Sequence, residues 1–394
     1  MISFCYDKLA QPDIGYPNLA RHQAQPYTTG WREFDHHWPR TTPLRLLMYL
    51  RQASIPFTVV TVNSNSVAGS WYPIALAWFD FSLDYFELLT PTVRQLLSNK
   101  VVKILFYYHE GDNPVRIKHR LDDLCRQHQL PDDCYFFVSA NTAASKLKNF
   151  AYFSEHEFFF RYVNRYQQAK FVGTRSKIFT ALNRTHKWWR ASCMSDLYFS
   201  GLLENSTWSY NTDCTINDNE DDNPLELDSV DRWRDNVHNF INQGPYTCDN
   251  YTSASHNDHH DVNVELYQSY CHIVLETHFD ADQSQGTFIT EKTWKVIKYG
   301  QPFVIIGPVG SLQSLRDSGY RVFDHAIDNS YDGIVDNTQR WFAVKKALTA
   351  VQNSNLPKWF DTCQSDIQHN QQLFDSRLFL PLNILLGQIN EQHS

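Results

Sequence analysis

Residues 287–308 read TFITEKTWKVIKYGQPFVIIGP and carry the pattern on which the fold prediction rests. Thr290 is a favourable N-cap for a helix that runs to residue 298, and Gly300 is suited to end that helix. The apolar run 302–306 follows at once and predicts a buried strand. A helix that leads directly into a buried strand is typical of an α/β domain.

The same alternation extends to both sides of this stretch. Apolar runs rich in β-branched and aromatic residues predict strands, and apolar residues at helical spacing predict helices between them. The predicted strands are 57–62, 101–108, 134–139, 177–182, 271–275, 302–306 and 320–323, and the predicted helices include 116–125, 230–241, 310–319 and 365–394. Continuous apolar strands that alternate with helices indicate parallel sheets covered on both faces.

A chain of 394 residues is long enough for two or three domains of about 100–200 residues each. Residues 1–168 are predicted to form an amino-terminal Rossmann-like domain and residues 169–360 a second one. Residues 361–394 are predicted to form a carboxyl-terminal helical segment. A break rich in Asp, Asn, Ser and His covers residues 211–261, and it is predicted to be irregular apart from one short helix.

The composition excludes several classes of protein. Hydrophobic residues make up 42% of the chain and charged residues 20%, which excludes global disorder. The chain has no apolar run of about 18 residues and no basic-then-apolar start, so neither a membrane span nor a secretory signal is predicted. Its eight cysteines are scattered without a C-x-x-C pair. They are predicted to be reduced thiols in the cytoplasm.

Positive charge is concentrated in one part of the chain. Residues 94–190 contain 17 Lys and Arg against 8 Asp and Glu, although the whole chain has a net charge of −8. This asymmetry indicates a positive surface that faces an anionic ligand, which is either the phosphates of a sugar nucleotide or a nucleic-acid backbone. Complementary domain faces or solvated helices are the alternative.

Glu291 and Lys292 stand at the start of the helix predicted within the opening stretch. A helix N-terminus has unpaired N–H groups and a positive partial charge, so it suits a diphosphate. Lys292 adds a full positive charge there, and Glu291 can accept hydrogen bonds from two adjacent ribose hydroxyls. The alternative is simple capping, in which Thr290 is the cap and Glu291 is favourable in the first turn.

Residues 290–292 (Thr-Glu-Lys), followed by Gly-x-Pro at 300–302 and a strand, resemble the donor-binding domain of GT-B glycosyltransferases. The closest resemblance is to the fucosyltransferase pattern, and the stretch is also similar to viral and environmental glycosyltransferase-like proteins. The resemblance covers about residues 177–325 and implies two Rossmann-like domains that face a cleft. It implies that Glu291 contacts the nucleotide ribose and that Lys292 contacts the diphosphate.

Further residues are predicted to bind the donor together with Thr290. Arg184 and Arg190 follow the first strand of the second domain, at the edge where ligands of α/β sheets bind. A guanidinium can hold a diphosphate through two hydrogen bonds, and Lys187 can assist. Glu276 stands where the fucosyltransferases have the Glu of Phe-Glu-Asn, although the Asn is missing here. A solvated turn is the alternative for residues 184–190.

Sugar transfer to a hydroxyl needs a general base. Glu110 and Asp112 directly follow the predicted strand 101–108, in a loop that leaves the carboxyl end of that strand. Glu110 is the predicted base and Asp112 the second choice. The rival candidates are Asp35, His36 and His37, and the group Glu155, His156 and Glu157. An ordinary acidic turn is the alternative for each of them.

Two segments have the residue types of a metal site. Residues 256–261 contain three His and two Asp, but they lie in the polar break without rigid flanks. Asp280 and Asp282 form a D-x-D motif after an apolar strand, as GT-A glycosyltransferases use to hold Mn²⁺ or Mg²⁺. A GT-A enzyme would place its nucleotide domain first, so no metal site is predicted.

The predicted function is transfer of a hexose or deoxyhexose from a nucleotide diphosphate sugar to a hydroxyl, without a metal and with inversion, as the fucosyltransferase resemblance implies. The nucleotide sugar is the donor substrate, and no separate cofactor is predicted. The acceptor is a glycan, a small molecule or a modified DNA base. Three alternatives stay open: a DNA-modifying glycosyltransferase that acts on hydroxymethylated bases, a metal-dependent GT-A transferase, and a non-catalytic nucleic-acid-binding protein.

Overall fold

The structure is a computed structural model that describes residues 1–7, 44–76, 78–163, 173–212, 220, 223–225, 232–248, 268–279, 286–377 and 379–392. The chain divides into two compact units. The first consists of Met1–Glu155 and Phe379–Ser394, and the second is His156–Leu378. The predicted domain boundary between residues 168 and 169 lies outside the described residues.

The first unit contains a six-stranded parallel sheet with the strand order β2-β1-β3-β4-β5-β6. A short 3-10 helix at Thr142–Lys146 precedes the edge strand β6. In chain order the elements are β1 (Ile2–Tyr6), α1 (Arg45–Gln52), β2 (Phe57–Thr61), β3 (Ser70–Leu76), α2 (Pro91–Ser98), β4 (Val102–Tyr108), α3 (Pro114–Gln127), β5 (Tyr135–Ser139) and β6 (Phe150–Tyr152).

The strands predicted at 57–62, 101–108 and 134–139 and the helix at 116–125 are confirmed. The central strand β3 was not predicted, and it contains Pro73, a residue that is rare inside strands. Strand β3 pairs along its whole length with β4 but with β1 only at Phe4–Trp71. The missing N–H of the proline therefore interrupts little of the sheet.

The second unit contains a four-stranded parallel sheet with the strand order β10-β9-β7-β8. In chain order the elements are α4 (Glu155–Val163), β7 (Lys177–Asn183), α5 (Trp188–Phe199), β8 (Thr207–Tyr210), α6 (Trp233–Gln243), β9 (Ser269–Leu275), α7 (Glu291–Lys298), β10 (Phe303–Ile306), α8 (Ser311–Asp317), α9 (Asn337–Gln352), α10 (Leu356–Thr362) and α11 (Gln364–Ser376). The final helix, α12 (Leu380–Glu391), belongs to the first unit.

This arrangement confirms the α/β class with Rossmann-like parallel sheets, while the GT-B cleft stays a prediction. The strands at 177–182, 271–275 and 302–306 are confirmed. Gly300 ends α7 as predicted, because its φ of +68° lies in the left-handed region that glycine adopts without strain. No helix among the described ranges is long and apolar enough to cross a membrane.

The strand predicted at 320–323 is wrong. These residues run without regular structure, and Phe323 has a φ of +64°. The buried side chain of Asn370 takes the place of a neighbouring strand: its Oδ1 accepts from the N–H of Arg321 at 2.8 Å, and its Nδ2 donates to the carbonyl of Arg321 at 2.8 Å. The side chain of Asn370 therefore bonds the peptide groups of Arg321, for which the apolar pattern predicted a neighbouring strand as the partner.

In the sheet of the second unit, the pairing between β7 and β9 ends before the carboxyl ends of these strands. Strand β7 pairs with β9 as far as Thr180–His272, and from Thr180 to Asn183 it pairs with β8. Strand β9 pairs from His272 to Leu275 with β10. Beyond Thr180–His272 the described residues of β7 and β9 are not paired with each other, although the two strands remain neighbours, and we call this place the fork. It is also the point where the strand order reverses, which is where ligands of open α/β sheets bind.

Candidate functional site

Most of the residues predicted to bind the donor are brought together beside the fork. The loop after β7 contains Arg184, and Arg190 lies in the first turn of α5. Glu276 follows β9 directly, and Thr290 precedes α7, whose first two residues are Glu291 and Lys292. These segments are joined by the hydrogen bonds described next. The sequence thus places its candidate residues at one edge of one sheet.

The carboxylate of Glu276 joins the end of β9 to the first turn of α7. Its side chain is fully buried. Its Oε2 accepts from the Thr290 hydroxyl at 2.6 Å and its Oε1 from the Thr293 hydroxyl at 2.6 Å, while the N–H of Thr290 lies 3.2 Å from both oxygens. Buried carboxylates are stable only when they are hydrogen-bonded in this way. The partners of Glu276 are internal, and its contact with a ligand stays a prediction.

Arg190 and Lys187 join the loop after β7 to the loop after β9. Arg190 is buried, and its Nε donates to the carbonyl oxygen of Glu276 at 3.2 Å, while its Nη1 donates to that of Thr185 at 3.1 Å. Lys187 Nζ donates to the carbonyl oxygen of Thr277 at 2.8 Å. These two cations hold main-chain carbonyls, and a direct diphosphate contact by Arg190 stays a prediction.

Glu291 and Lys292 are partly exposed at the start of α7. Thr290 is confirmed as the N-cap, because its hydroxyl accepts from the N–H of Lys292 at 3.4 Å. Lys292 Nζ donates to Glu291 Oε1 at 3.0 Å, and Glu291 Oε2 lies 3.3 Å from His156 Nδ1. The exposed fractions are 30% for Lys292 and 19% for Glu291. Both side chains are therefore accessible to a ligand while their orientations are supported by neighbours.

The described segments around the fork carry more positive than negative charge. Arg184, Lys187, Arg190 and Lys292 are cationic, and Glu276 is the buried carboxylate among them. Glu291 adds the other acidic group of these segments. Arg184 is exposed on the loop after β7. A surplus of cations beside a helix N-terminus favours an anionic ligand over a neutral one.

The helix after β10 also has a carboxylate of the protein at its start. The carboxylate of Asp332 accepts from the N–H groups of Leu312 and Gln313 at 2.9 Å each, at the start of α8. Burial raises the pKa of Asp332, although these hydrogen bonds oppose the shift. The protein therefore places its own carboxylate at the start of α8.

The predicted general bases lie on the first unit, at the carboxyl end of β4. The carboxylate of Glu110 is 37% exposed, and its Oε1 lies 3.6 Å from His109 Nε2. Asp112 Oδ2 accepts a hydrogen bond from the hydroxyl of Tyr108 at 2.6 Å. Glu110 is thus partly open to solvent, whereas Asp112 supports the buried Tyr108.

The rival carboxylates have structural partners. Glu155 is buried, and its Oε1 accepts from Arg45 at 2.9 Å and from Tyr49 at 3.0 Å. Burial is the largest influence on the pKa of Glu155 and would raise it, but the charges of Arg45 and His109 together with nearby hydrogen bonds outweigh burial, so the pKa is lowered. Glu157 accepts from Arg161 and from Tyr320 in a second buried cluster. Asp35, His36 and His37 lie outside the described residues.

The two candidate metal motifs, residues 256–261 and Asp280 with Asp282, also lie outside the described residues. Within the part of the chain that the structure describes, no group of three or more His, Cys, Asp and Glu side chains could hold a metal ion. Metal binding by Asp280 and Asp282 therefore stays an alternative prediction from the sequence.

Thr293 was not predicted from the sequence, and His156 was named only as a rival general base and not as a neighbour of Glu291. Thr293 is a partner of Glu276, and a signal for it existed: Thr290 and Thr293 are three residues apart, so they share one side of the first helical turn. His156 contacts Glu291 from α4, more than 130 residues earlier in the chain. No local pattern indicates such a contact.

We expect Glu276→Gln to destabilise the second unit. The new amide would present an NH₂ group where Thr290 and Thr293 now donate, so at least one buried donor would lose its acceptor. A loss of about 2 kcal/mol in the free energy of unfolding is expected, measured by urea titration. Glu204→Gln, at an exposed position, is the matched control. Equal stabilities of the two variants would contradict this role of Glu276.

Comparison with known proteins does not bear on the function of this chain. No family model, curated protein or solved structure was found to match it. Its function is therefore inferred from the geometry given above and from the motif at residues 290–292.

Proposed function

We propose that this protein is a glycosyltransferase of the GT-B type that transfers a sugar from a nucleotide diphosphate sugar to a hydroxyl acceptor. The observation that carries the proposal is the position of Lys292 and the start of α7 beside the fork, where the buried carboxylate of Glu276 supports that helix turn. The second unit is assigned to donor binding, and the first unit is assigned to acceptor activation.

The chemistry of this edge suits a nucleoside diphosphate. The phosphates would take hydrogen bonds from the start of α7 and charge from Lys292 and Arg184. Glu291 is the acceptor for ribose hydroxyls, and its contacts with Lys292 and His156 support its carboxylate in one place. Side chains that neighbouring residues already hold in one orientation lose little conformational entropy when a ligand binds.

The proposed reaction is a direct displacement with inversion. The oxygen of the acceptor attacks the anomeric carbon, and Glu110 accepts the proton of that hydroxyl. The bond from the anomeric carbon to the diphosphate breaks, and the nucleoside diphosphate leaves with the bonding electrons. The fixed positive groups beside the fork stabilise its charge. The acceptor can be a glycan, a small molecule or a modified DNA base.

Lys292→Ala and Glu291→Ala should each weaken the binding of nucleoside diphosphates. Each variant removes a charge-assisted contact, which corresponds to a loss of roughly 10- to 150-fold in affinity, measured by calorimetry against a panel of nucleoside diphosphates. Lys298→Ala, at the far end of the same helix, is the control and should bind like the natural protein. Unchanged affinity in both test variants would remove the donor site from this position.

Glu110→Gln should keep donor binding and lower turnover by roughly 10²- to 10⁴-fold, because the amide cannot accept the acceptor proton. Glu87→Gln, on an exposed position of the same unit, should keep full turnover. If Glu110→Gln is fully active, Asp112 becomes the next candidate. If it loses donor binding as well, Glu110 has a structural role.

Excess EDTA should leave transfer activity within about threefold, because in this proposal fixed cationic groups stabilise the leaving diphosphate. The GT-A alternative assigns that task to a divalent ion on Asp280 and Asp282, and it requires loss of activity with EDTA and recovery with Mn²⁺. The double variant with Asp280→Asn and Asp282→Asn should likewise stay active. The GT-A outcome in either assay would reject the roles given to Glu291 and Lys292.

A further inference from the structure

Asn183, the last residue of β7, has a buried side-chain donor that the fold does not use. The residue is only 4% exposed, and its Nδ2 is buried without a hydrogen-bond partner. Its main chain is satisfied, since its carbonyl accepts from the N–H of Asn211 at 3.0 Å. Buried amide groups are hydrogen-bonded in nearly all native structures, so an unused one requires an explanation.

The position of Asn183 suggests that explanation. It lies three residues beyond the last pair between β7 and β9, on the part of β7 that pairs only with β8. Beyond it, the loops after the two strands are joined again by Lys187 and Arg190, which donate to the carbonyls of Thr277 and Glu276. Asn183 therefore lies between the paired part of the sheet and these two contacts, at the fork itself.

The charge around the fork defines the kind of acceptor that would pair with this amide. Nδ2 is a neutral donor and needs an acceptor atom. The cations Arg184, Lys187, Arg190 and Lys292 are on the neighbouring segments, so an acceptor that belongs to an anion is favoured there over a neutral one. Phosphate oxygens are strong acceptors with several lone pairs, and they take hydrogen bonds from neutral amides as well as from cations.

We infer that Asn183 is a binding residue of this site and that its Nδ2 donates a hydrogen bond to a phosphate oxygen of the bound nucleoside diphosphate. This inference rests on the proposed function, because it uses the same ligand. Asn183 adds a directional neutral donor to the cations of the fork. Burial keeps water from competing for this donor, so the hydrogen bond contributes more than an exposed one.

The test is Asn183→Leu, which keeps a similar volume and removes the donor. Affinity for a nucleoside diphosphate, and for inorganic pyrophosphate as a probe of the phosphate contact alone, should fall by about tenfold or more. The unfolding temperature should not fall, because no internal hydrogen bond of the side chain is lost. The affinity is thus expected to fall while the unfolding temperature does not. Replacing an asparagine with a purely structural role would instead lower the unfolding temperature.

Asn370→Leu is the matched control, since Asn370 is equally buried but uses both side-chain atoms for the peptide groups of Arg321. This variant should unfold at a lower temperature and bind nucleoside diphosphates, below that temperature, as the natural protein does. A natural protein that binds no nucleoside diphosphate would overturn the proposed function and this inference together. If Asn183→Leu binds nucleoside diphosphates as tightly as the natural protein does, the inference alone is overturned. An internal water would then be the partner of the amide.

A second variant keeps the test decisive if Asn183→Leu does not fold. Asn183→Asp has the same shape, and its carboxylate is an acceptor that repels phosphate near neutral pH. Its affinity for pyrophosphate should be far below that of the natural protein at about pH 7 and should recover toward about pH 5, as protonation restores a donor. Affinity equal to that of the natural protein at both pH values would exclude a phosphate contact at residue 183.

Discussion

The buried carboxylate of Glu276 is the interaction on which the geometry of the candidate site depends. A charge this deeply buried requires hydrogen bonds to both oxygens, and the available donors are the N–H and hydroxyl of Thr290 and the hydroxyl of Thr293. These donors belong to the first turn of α7. The carboxylate therefore fixes where that helix begins relative to the end of β9, and with it the positions of Glu291 and Lys292.

A second group of contacts fixes the opposite side of the fork. Arg190 and Lys187 come from the segment after β7 and donate to the carbonyls of the two residues that follow β9. The strands themselves have stopped pairing before this point. Side chains therefore keep the two loops together where the backbone ladder no longer does, and they bring positive charge to the place where an anion would bind.

The regular parts of the fold were predictable because their signals are local. The strands at 177–182 and 271–275 and the helix after Thr290 are visible as apolar runs and caps, and the structure has them. The failures have non-local causes. Residues 320–323 have the apolar pattern of a strand, but Asn370, far along the chain, supplies the hydrogen bonds of Arg321 in their middle. Strand β3 contains a proline, which is rare inside strands, and the pairing with β4 tolerates it.

The roles of the residues in the candidate site could likewise be predicted only in part. The sequence placed its candidate charged residues at one edge of the sheet, but residue type alone cannot separate those that hold the fold from those that contact a ligand. Burial separates them: Glu276 and Arg190 are enclosed and bonded to the chain, whereas Glu291 and Lys292 remain partly exposed. A charge without water must be paired with neighbours, because leaving it unpaired costs more free energy than the fold can supply. The enclosed pair therefore shapes the site, and the exposed pair is available to a ligand.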